Sequence, residues 1–155
     1  MRLEPMGAGF DRWSDLLALI LEAFDYMKPR IDPPSSALRL TPEILRQKAE
    51  AEIVYLAWEG SQLLGCVFLR PEADCLYIGK LAIHPSAQKR GIGKAFLHAA
   101  EDCAAQLHLP ELRLETRVEL LENHAVFARW GFVKTAENAH PGFFRTTSIE
   151  MRKVL

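Results

Sequence analysis

A mixed α/β single domain spanning residues 1–155 is the fold class this sequence predicts, and three observations predict it. Apolar side chains recur with helical spacing near the N-terminus. Three β-branched and aromatic runs then follow one another between short turns. At Gly91 the pattern switches abruptly back to helical. A chain of 155 residues is long enough for one core of its own. With 49% hydrophobic and 25% charged residues it has an ordinary globular composition. The formal net charge of −1 supplies no global field to draw nucleic acid or an anionic membrane, so neither is expected as a partner.

Residues 11–27 place Trp13, Leu16, Leu17, Ile20, Leu21 and Phe24 on one stripe, with Asp11, Asp15, Glu22 and Asp25 on the remaining face. Pro29, Pro33 and Pro34 then end that helix in a loop. Thr41-Pro42-Glu43 restarts one, with threonine at the cap and proline at the first helical position. Ile53–Trp58, Leu63–Leu69 and Cys75–Ile83, separated by turns at 59–62 and 71–74, read as an antiparallel meander. Gly79 inside the third run signals a bulge or a close backbone approach. Ile92, Ala95, Phe96, Ala99, Ala100, Cys103 and Leu107 form a helical stripe. A strand at Leu112–Thr116 and a helix to about Trp130 follow, closed by Gly131. Phe132-Val133 and Thr147–Met151 complete the pattern as two short strands.

No apolar run approaches the roughly 20 residues that span a bilayer. The N-terminus carries no apolar segment with a small-residue cleavage site, so a cytoplasmic location is expected. Cys66, Cys75 and Cys103 are an odd set without C-x-x-C spacing, which argues for small buried hydrophobes. No His, Cys and Asp group has metal-ligand spacing, so no metal is expected.

The stretch richest in chemistry is Ile83-His-Pro-Ser-Ala-Gln-Lys-Arg-Gly-Ile-Gly-Lys-Ala-Phe96, where a strand ends and a helix begins at two glycines. A helix start offers unpaired N–H groups and a partial positive charge, a natural seat for phosphate. Glycine lets the phosphate approach the backbone, and Lys89, Arg90 and Lys94 add mobile charge. It is not a P-loop, because Ala95 follows Lys94. Nor is it the dinucleotide pattern, because Phe96 holds the third glycine position.

Gln88-x-x-Gly91-x-Gly93 after Leu81-Ala82-Ile83-x-Pro85 resembles the acetyl-CoA-binding motif of GNAT acetyltransferases. Glu122-Asn123-x-x-x-Phe127-x-x-x-Gly131-Phe132 resembles that family's second signature, at the family's order and distance. The resemblance covers residues 50–135 well and the two ends loosely. It implies a twisted, mostly antiparallel sheet of six to seven strands flanked by about four helices. It also implies acetyl-CoA as cosubstrate and transfer of its acyl group to a primary amine, directly within a ternary complex. The amine could belong to a small molecule, a peptide N-terminus or a lysine. Backbone groups of Leu81, Ala82 and Ile83 would meet the pantetheine arm. Those of Gln88, Lys89, Arg90, Gly91, Ile92, Gly93 and Lys94 would hold the pyrophosphate, and Asn123 would bond the cofactor. The sequence does not choose among Arg90, Lys94 and Arg129 for the 3′-phosphate.

Two departures from the family pattern bear on proton transfer. Phe127 stands where many relatives place a tyrosine that protonates the leaving sulfur; it can pack beside the thioester but gives no proton. Tyr77 stands where some relatives place a glutamate base. With an ordinary pKa near 10 it is a poor base and a candidate acid, or else a plain strand aromatic. Glu115, opposite in facing to Leu112 and Leu114, is the candidate base if its face is the cleft. His84, Glu72, His124 and His140 are further ionisable candidates. The acceptor is expected over the Lys28–Leu40 loop and the last hairpin. Lys28 or Arg30 could there favour a carboxylate-bearing amine, or simply be solvated. A cofactor-sensing module without turnover and a scaffold unit are the competing readings, and a homodimer is compatible with each.

Overall fold

The computed structural model describes residues 1–155. Seven strands form one sheet in the order β1-β2-β3-β4-β5-β7-β6. The strands are β1 Arg2–Pro5, β2 Ile53–Glu59, β3 Gln62–Pro71, β4 Leu76–Ile83, β5 Glu111–Arg117, β6 Val133–Asn138 and β7 Ser148–Val154. Every neighbouring pair is antiparallel except β4 and β5. Four α-helices flank the sheet: α1 Trp13–Phe24, α2 Pro42–Ala51, α3 Ile92–Gln106 and α4 Leu121–Arg129. The meander, the four helices and the strand count agree with the sequence-based expectation.

Two apolar clusters lie on opposite faces of the sheet. Leu16, Leu19 and Ile20 of α1 and Leu45 of α2 pack on Leu56, Cys66, Phe68 and Ala82. Phe96, Leu97 and Ala100 of α3 pack on Val67, Leu76, Ile78, Leu112 and Met151, with Phe127 of α4 and Trp130 just past its end alongside. The residues of β3 alternate between the two clusters, so this central strand is buried on both sides and reads as a continuous apolar run.

The caps follow their sequence signals. Thr41 accepts a hydrogen bond from Ile44 N at 3.1 Å, with Pro42 behind it. Gly131, at φ 98°, ends α4. Phe132 N reaches back to Phe127 O at 3.0 Å and Gly131 N to Ala128 O, the bond pattern of a Schellman close.

Three boundaries differ from expectation. β1 was not anticipated: it is four residues long and exists only through its pairing with Tyr55–Trp58. The last two strands run several residues beyond Phe132-Val133 and Thr147–Met151. β6 is an edge strand, largely exposed, so its polar stretch carries little strand periodicity. The first helix stops at Phe24, and Asp25–Met27 continue as a 3-10 turn.

A split sheet and its candidate functional site

β4 and β5 pair at only two positions, Leu76 with Leu112 and Tyr77 with Arg113, and then diverge. The cause is local to β4. Between the pairs Phe68–Gly79 and Cys66–Ala82, β3 advances two residues while β4 advances three. The extra residue is accommodated at Lys80, which takes a left-handed φ of 44°. A bulge of this kind bends its strand and re-aims the side chains after it. Cys66 Sγ donates to Lys80 O at 3.4 Å on the side away from the gap. The gap opens into a cleft of about 1390 Å³, large enough for an extended ligand and a second small molecule. Leu81 and Ile83 form one wall and Leu114–Arg117 the other. Ala82 does not face the cleft; the strand's alternation buries its side chain among the α1 cluster.

Past β4 the chain makes a 3-10 turn at Pro85–Ala87 and enters α3 through Gly91, at φ 80°. No side chain caps α3, so its first N–H groups are open to the cleft. Gln88, Lys89, Gly91, Ile92, Gly93 and Lys94 all border it. The two glycines serve different ends. Gly91 supplies a backbone angle that side chains disfavour, and a Cβ there would meet nothing within 4 Å. A Cβ on Gly93 would approach the Trp130 ring to 3.2 Å and Ile83 Cδ1 to 3.3 Å, so its smallness lets α3 seat against α4. Arg90 departs from the expected role: its guanidinium turns away to Glu59 Oε2 at 2.6 Å. Arg129 likewise does not border the cleft. Of the three cations left open by the sequence for a phosphate, only Lys94 does.

The far wall is the start of α4. Asn123 and Phe127 both line the cleft. Phe127 packs edge-on against Trp130 and Phe132, with centroids 5.6 and 6.1 Å away. Asn123 Nδ2 donates to the hydroxyl of Tyr26, which crosses from the end of α1, at 3.1 Å.

Residues 31–36 lie over the divergent end of β5 as a strap. Arg117 donates to the carbonyls of Pro33 and Pro34, and Arg145 to that of Asp32. Glu119 accepts from Asp32 N at 3.1 Å, and Arg30 pairs with both oxygens of Glu122. Burial lowers the pKa of Arg117, and the nearby charges of Glu119 and Asp32 oppose that only in part. Arg117→Met is therefore expected to raise hydrogen exchange in the Ile31–Ala37 amides by at least about tenfold, leaving β2 and β3 unchanged. Uniform exchange across the chain would show that Arg117 does not hold the strap.

Tyr77 and Glu115 both reach the cleft, where the strands part. Burial, and then the charge of Glu115, push the Tyr77 phenol up, so it stays protonated at neutral pH and is a donor rather than a base. Its ring is covered by Arg113 and Arg70, whose guanidinium carbons lie 4.3 and 4.7 Å from the centroid. Glu72, a sequence candidate, lies outside the cleft in an ion-pair network with Arg113. His124 is held by the carbonyl of Arg117 at 2.9 Å, and His140 by Thr147, with burial lowering the His140 pKa. His140 borders the cleft; His124 does not. His84 is anchored rather than free. One ring nitrogen meets Ser86 Oγ at 2.8 Å and the other Glu22 Oε2 at 2.7 Å, and Glu22 itself lines the cleft. The three cysteines are buried, with burial pushing Cys66 up to about 12 and Cys75 up to about 11. None borders the cleft, so no thiolate stands ready to accept an acyl group there. No cluster of three or more His, Cys, Asp or Glu side chains has the arrangement to hold a metal, and no helix is long and apolar enough to cross a membrane.

Sequence reasoning missed Lys80 and Glu22 as cleft residues. Lys80 is turned by the bulge, and Glu22 arrives from α1, 62 residues before the His84 it meets. No local signal marks them.

The chain belongs to the acetyltransferase (GNAT) family, whose model matches residues 13–132. Solved structures share its fold along nearly the whole chain. PaiA N-acetyltransferase from Thermoplasma acidophilum in complex with coenzyme A superposes with a TM-score of 0.74 at 19% identity, covering 100% of each chain. A GNAT family acetyltransferase from Elizabethkingia anophelis with acetyl-CoA bound gives 0.70 at 21% identity, covering 99% of this chain and 97% of its own. The ribosomal-protein-S18-alanine N-acetyltransferase from Escherichia coli gives 0.69 at 15%, covering 99% and 92%. Compared with curated protein sequences, the chain has no significant match.

Proposed function

We propose that this protein is an acyl-CoA-dependent N-acyltransferase that passes the acyl group of acetyl-CoA directly to a primary amine. The observation that carries the reading is the continuity of the split between β4 and β5 with the uncapped start of α3 in a single cleft. A pantetheine arm fits that split as an added strand along Leu81 and Ile83. A pyrophosphate fits the N–H groups from Gln88 to Lys94, beside Lys89 and Lys94. Asn123 and Phe127 then flank the arm from α4. Two solved relatives of this fold bear coenzyme A or acetyl-CoA, which supports the same ligand here.

In this reading the amine attacks the thioester carbonyl, the carbonyl electrons form an oxyanion, and collapse expels the CoA thiolate. A backbone N–H freed on β4 by the split stabilises the oxyanion. Glu115 receives the amine proton through water. The thiolate takes its proton from water or from the neutral Tyr77 phenol, so Phe127 does not block turnover. The protein's cysteines are sealed in the core, which favours direct transfer over an acyl-enzyme.

The test is release of free thiol from acetyl-CoA across a panel of amino acids, peptides, polyamines and amino sugars. Expected is at least one acceptor whose rate exceeds hydrolysis by about 100-fold or more. Micromolar acetyl-CoA binding with no amine above the hydrolysis background would replace this reading with a cofactor sensor.

A further inference from the structure

Four carboxylates line the cleft, and each has a basic partner. Glu22 meets His84 at 2.7 Å, Asp25 meets Lys28 at 3.3 Å, Glu115 meets Arg113 at 3.4 Å, and Glu122 is held by Arg30. The cations are distributed differently. Arg117 is committed to the strap carbonyls, but Lys89, Lys94, Arg39 and Lys80 form no ion pair. Lys89 and Lys94 lie at the helix-start cradle, where a pyrophosphate accounts for them. Arg39 and Lys80 do not. They lie where the strap meets β4, and the ammonium of Lys80 donates to Ser36 Oγ of the strap at 3.2 Å.

Lys80 is an expensive residue to keep there. Its left-handed backbone costs about 1 kcal/mol or more for a side chain with a Cβ. Its half-buried ammonium has one neutral partner, and burial followed by the charges of Lys48 and Arg39 lowers its pKa. Glu52, the one carboxylate acting on it, is already bonded to Lys48 at 3.3 Å. The Lys28 and Arg30 charges that the loop sequence offered for this task are both consumed in ion pairs.

Resting on the acyltransferase reading, we infer that Lys80 and Arg39 form a second anion site for the acceptor, whose substrate class is an amine that also carries a carboxylate. The ammonium and guanidinium would take the carboxylate in charge-assisted hydrogen bonds, with Ser36 Oγ as a third donor. The same two positive charges disfavour protonation of the acceptor's nearby amine, which must be neutral to attack.

The experiment measures binding separately from turnover. N-acetylglycine, N-acetylalanine and N-acetylphenylalanine are titrated against their uncharged primary amides by ligand-observed NMR, with and without saturating CoA. Wild-type protein is expected to bind the carboxylates at least about tenfold more tightly than the amides. Lys80→Met and Arg39→Gln should each reduce that preference to below about threefold, Lys80→Arg should keep most of it, and CoA affinity should shift less than threefold. Equal binding of carboxylates and amides by the wild type overturns the inference. So does a preference that survives both substitutions, or a loss of CoA affinity in Lys80→Met, which would assign the cation to the cofactor. Failure of the acyltransferase reading looks different: no CoA binding and no thiol release, whatever the carboxylate preference.

Discussion

Gly91→Glu is expected to lower acetyl-CoA affinity at least about 100-fold, measured by calorimetry, while the protein stays folded. A carboxylate there stands at the positive end of α3, among the N–H groups proposed to hold the pyrophosphate. It would both occupy them and repel the ligand's charge. The fold tolerates the change sterically, because a Cβ on Gly91 meets nothing within 4 Å. The φ of 80° adds strain of about 1–2 kcal/mol for any side chain. Gly91→Ala carries that strain without the charge and separates the two effects: its affinity should remain within about tenfold of wild type. Unchanged affinity in Gly91→Glu would remove the cradle from the site.

Arg113→Met should destabilise the fold by removing a cation shared among several partly buried carboxylates. Arg113 is only 13% exposed and donates to Glu72 at 2.9 and 3.1 Å, with Glu115 and Glu150 at 3.4 Å. Burial opposes its charge, and the bonds to Glu72 more than offset that, holding its pKa above the usual arginine value. Losing it strands partly buried carboxylates, at a cost of about 2–3 kcal/mol after solvent screening. For a chain of this length that is a drop of about 5–10 °C in Tm. The pH dependence has a defined sign. Arg113, and then the other bonds to the carboxyl, hold Glu72 down at about 2, below the ordinary carboxylate value of about 4.3. A group depressed in the folded state stabilises above its unfolded pKa, so its contribution is full above about pH 5. It is lost as pH falls toward 2. Thermal melts across that window should fall steeply for wild type and more gently for Arg113→Met. Parallel curves would show that Glu72 is not the titrating partner.

Much of this architecture was legible because its signals are local. The Thr41-Pro42 cap, the turns of the meander and Gly131 at the close of α4 need only neighbouring residues to be read. The start of α3 at Gly91 was legible for the same reason. The residues that complete the cleft were not. Lys80 sits in a run, Tyr77-Ile-Gly-Lys-Leu, in which simple alternation misassigns faces once the bulge adds a residue. Only the pairing with β3 shows where it points. Arg30 and Glu122 are 92 residues apart, and Glu22 and His84 are 62 apart, so their meeting is a product of tertiary packing. Arg90 illustrates the converse: its place in the motif suggested a phosphate contact, but Glu59, on a strand 31 residues upstream, takes it.

The two-rung seam between β4 and β5 has a mechanical meaning. Across it the sheet is two leaves, β1–β4 and β5–β7, bound by a pair of backbone rungs, by α3 beneath and by the strap above. A ligand lying along β4 would act as the missing rungs and rivet the leaves together. Cofactor concentration would then set how rigid the whole domain is. Ligand at about 100 times its Kd would add about 2.7 kcal/mol to the stability of the folded chain. Much of that gain should appear as slower opening of β5 and β7, far from the helix start proposed to hold the phosphates.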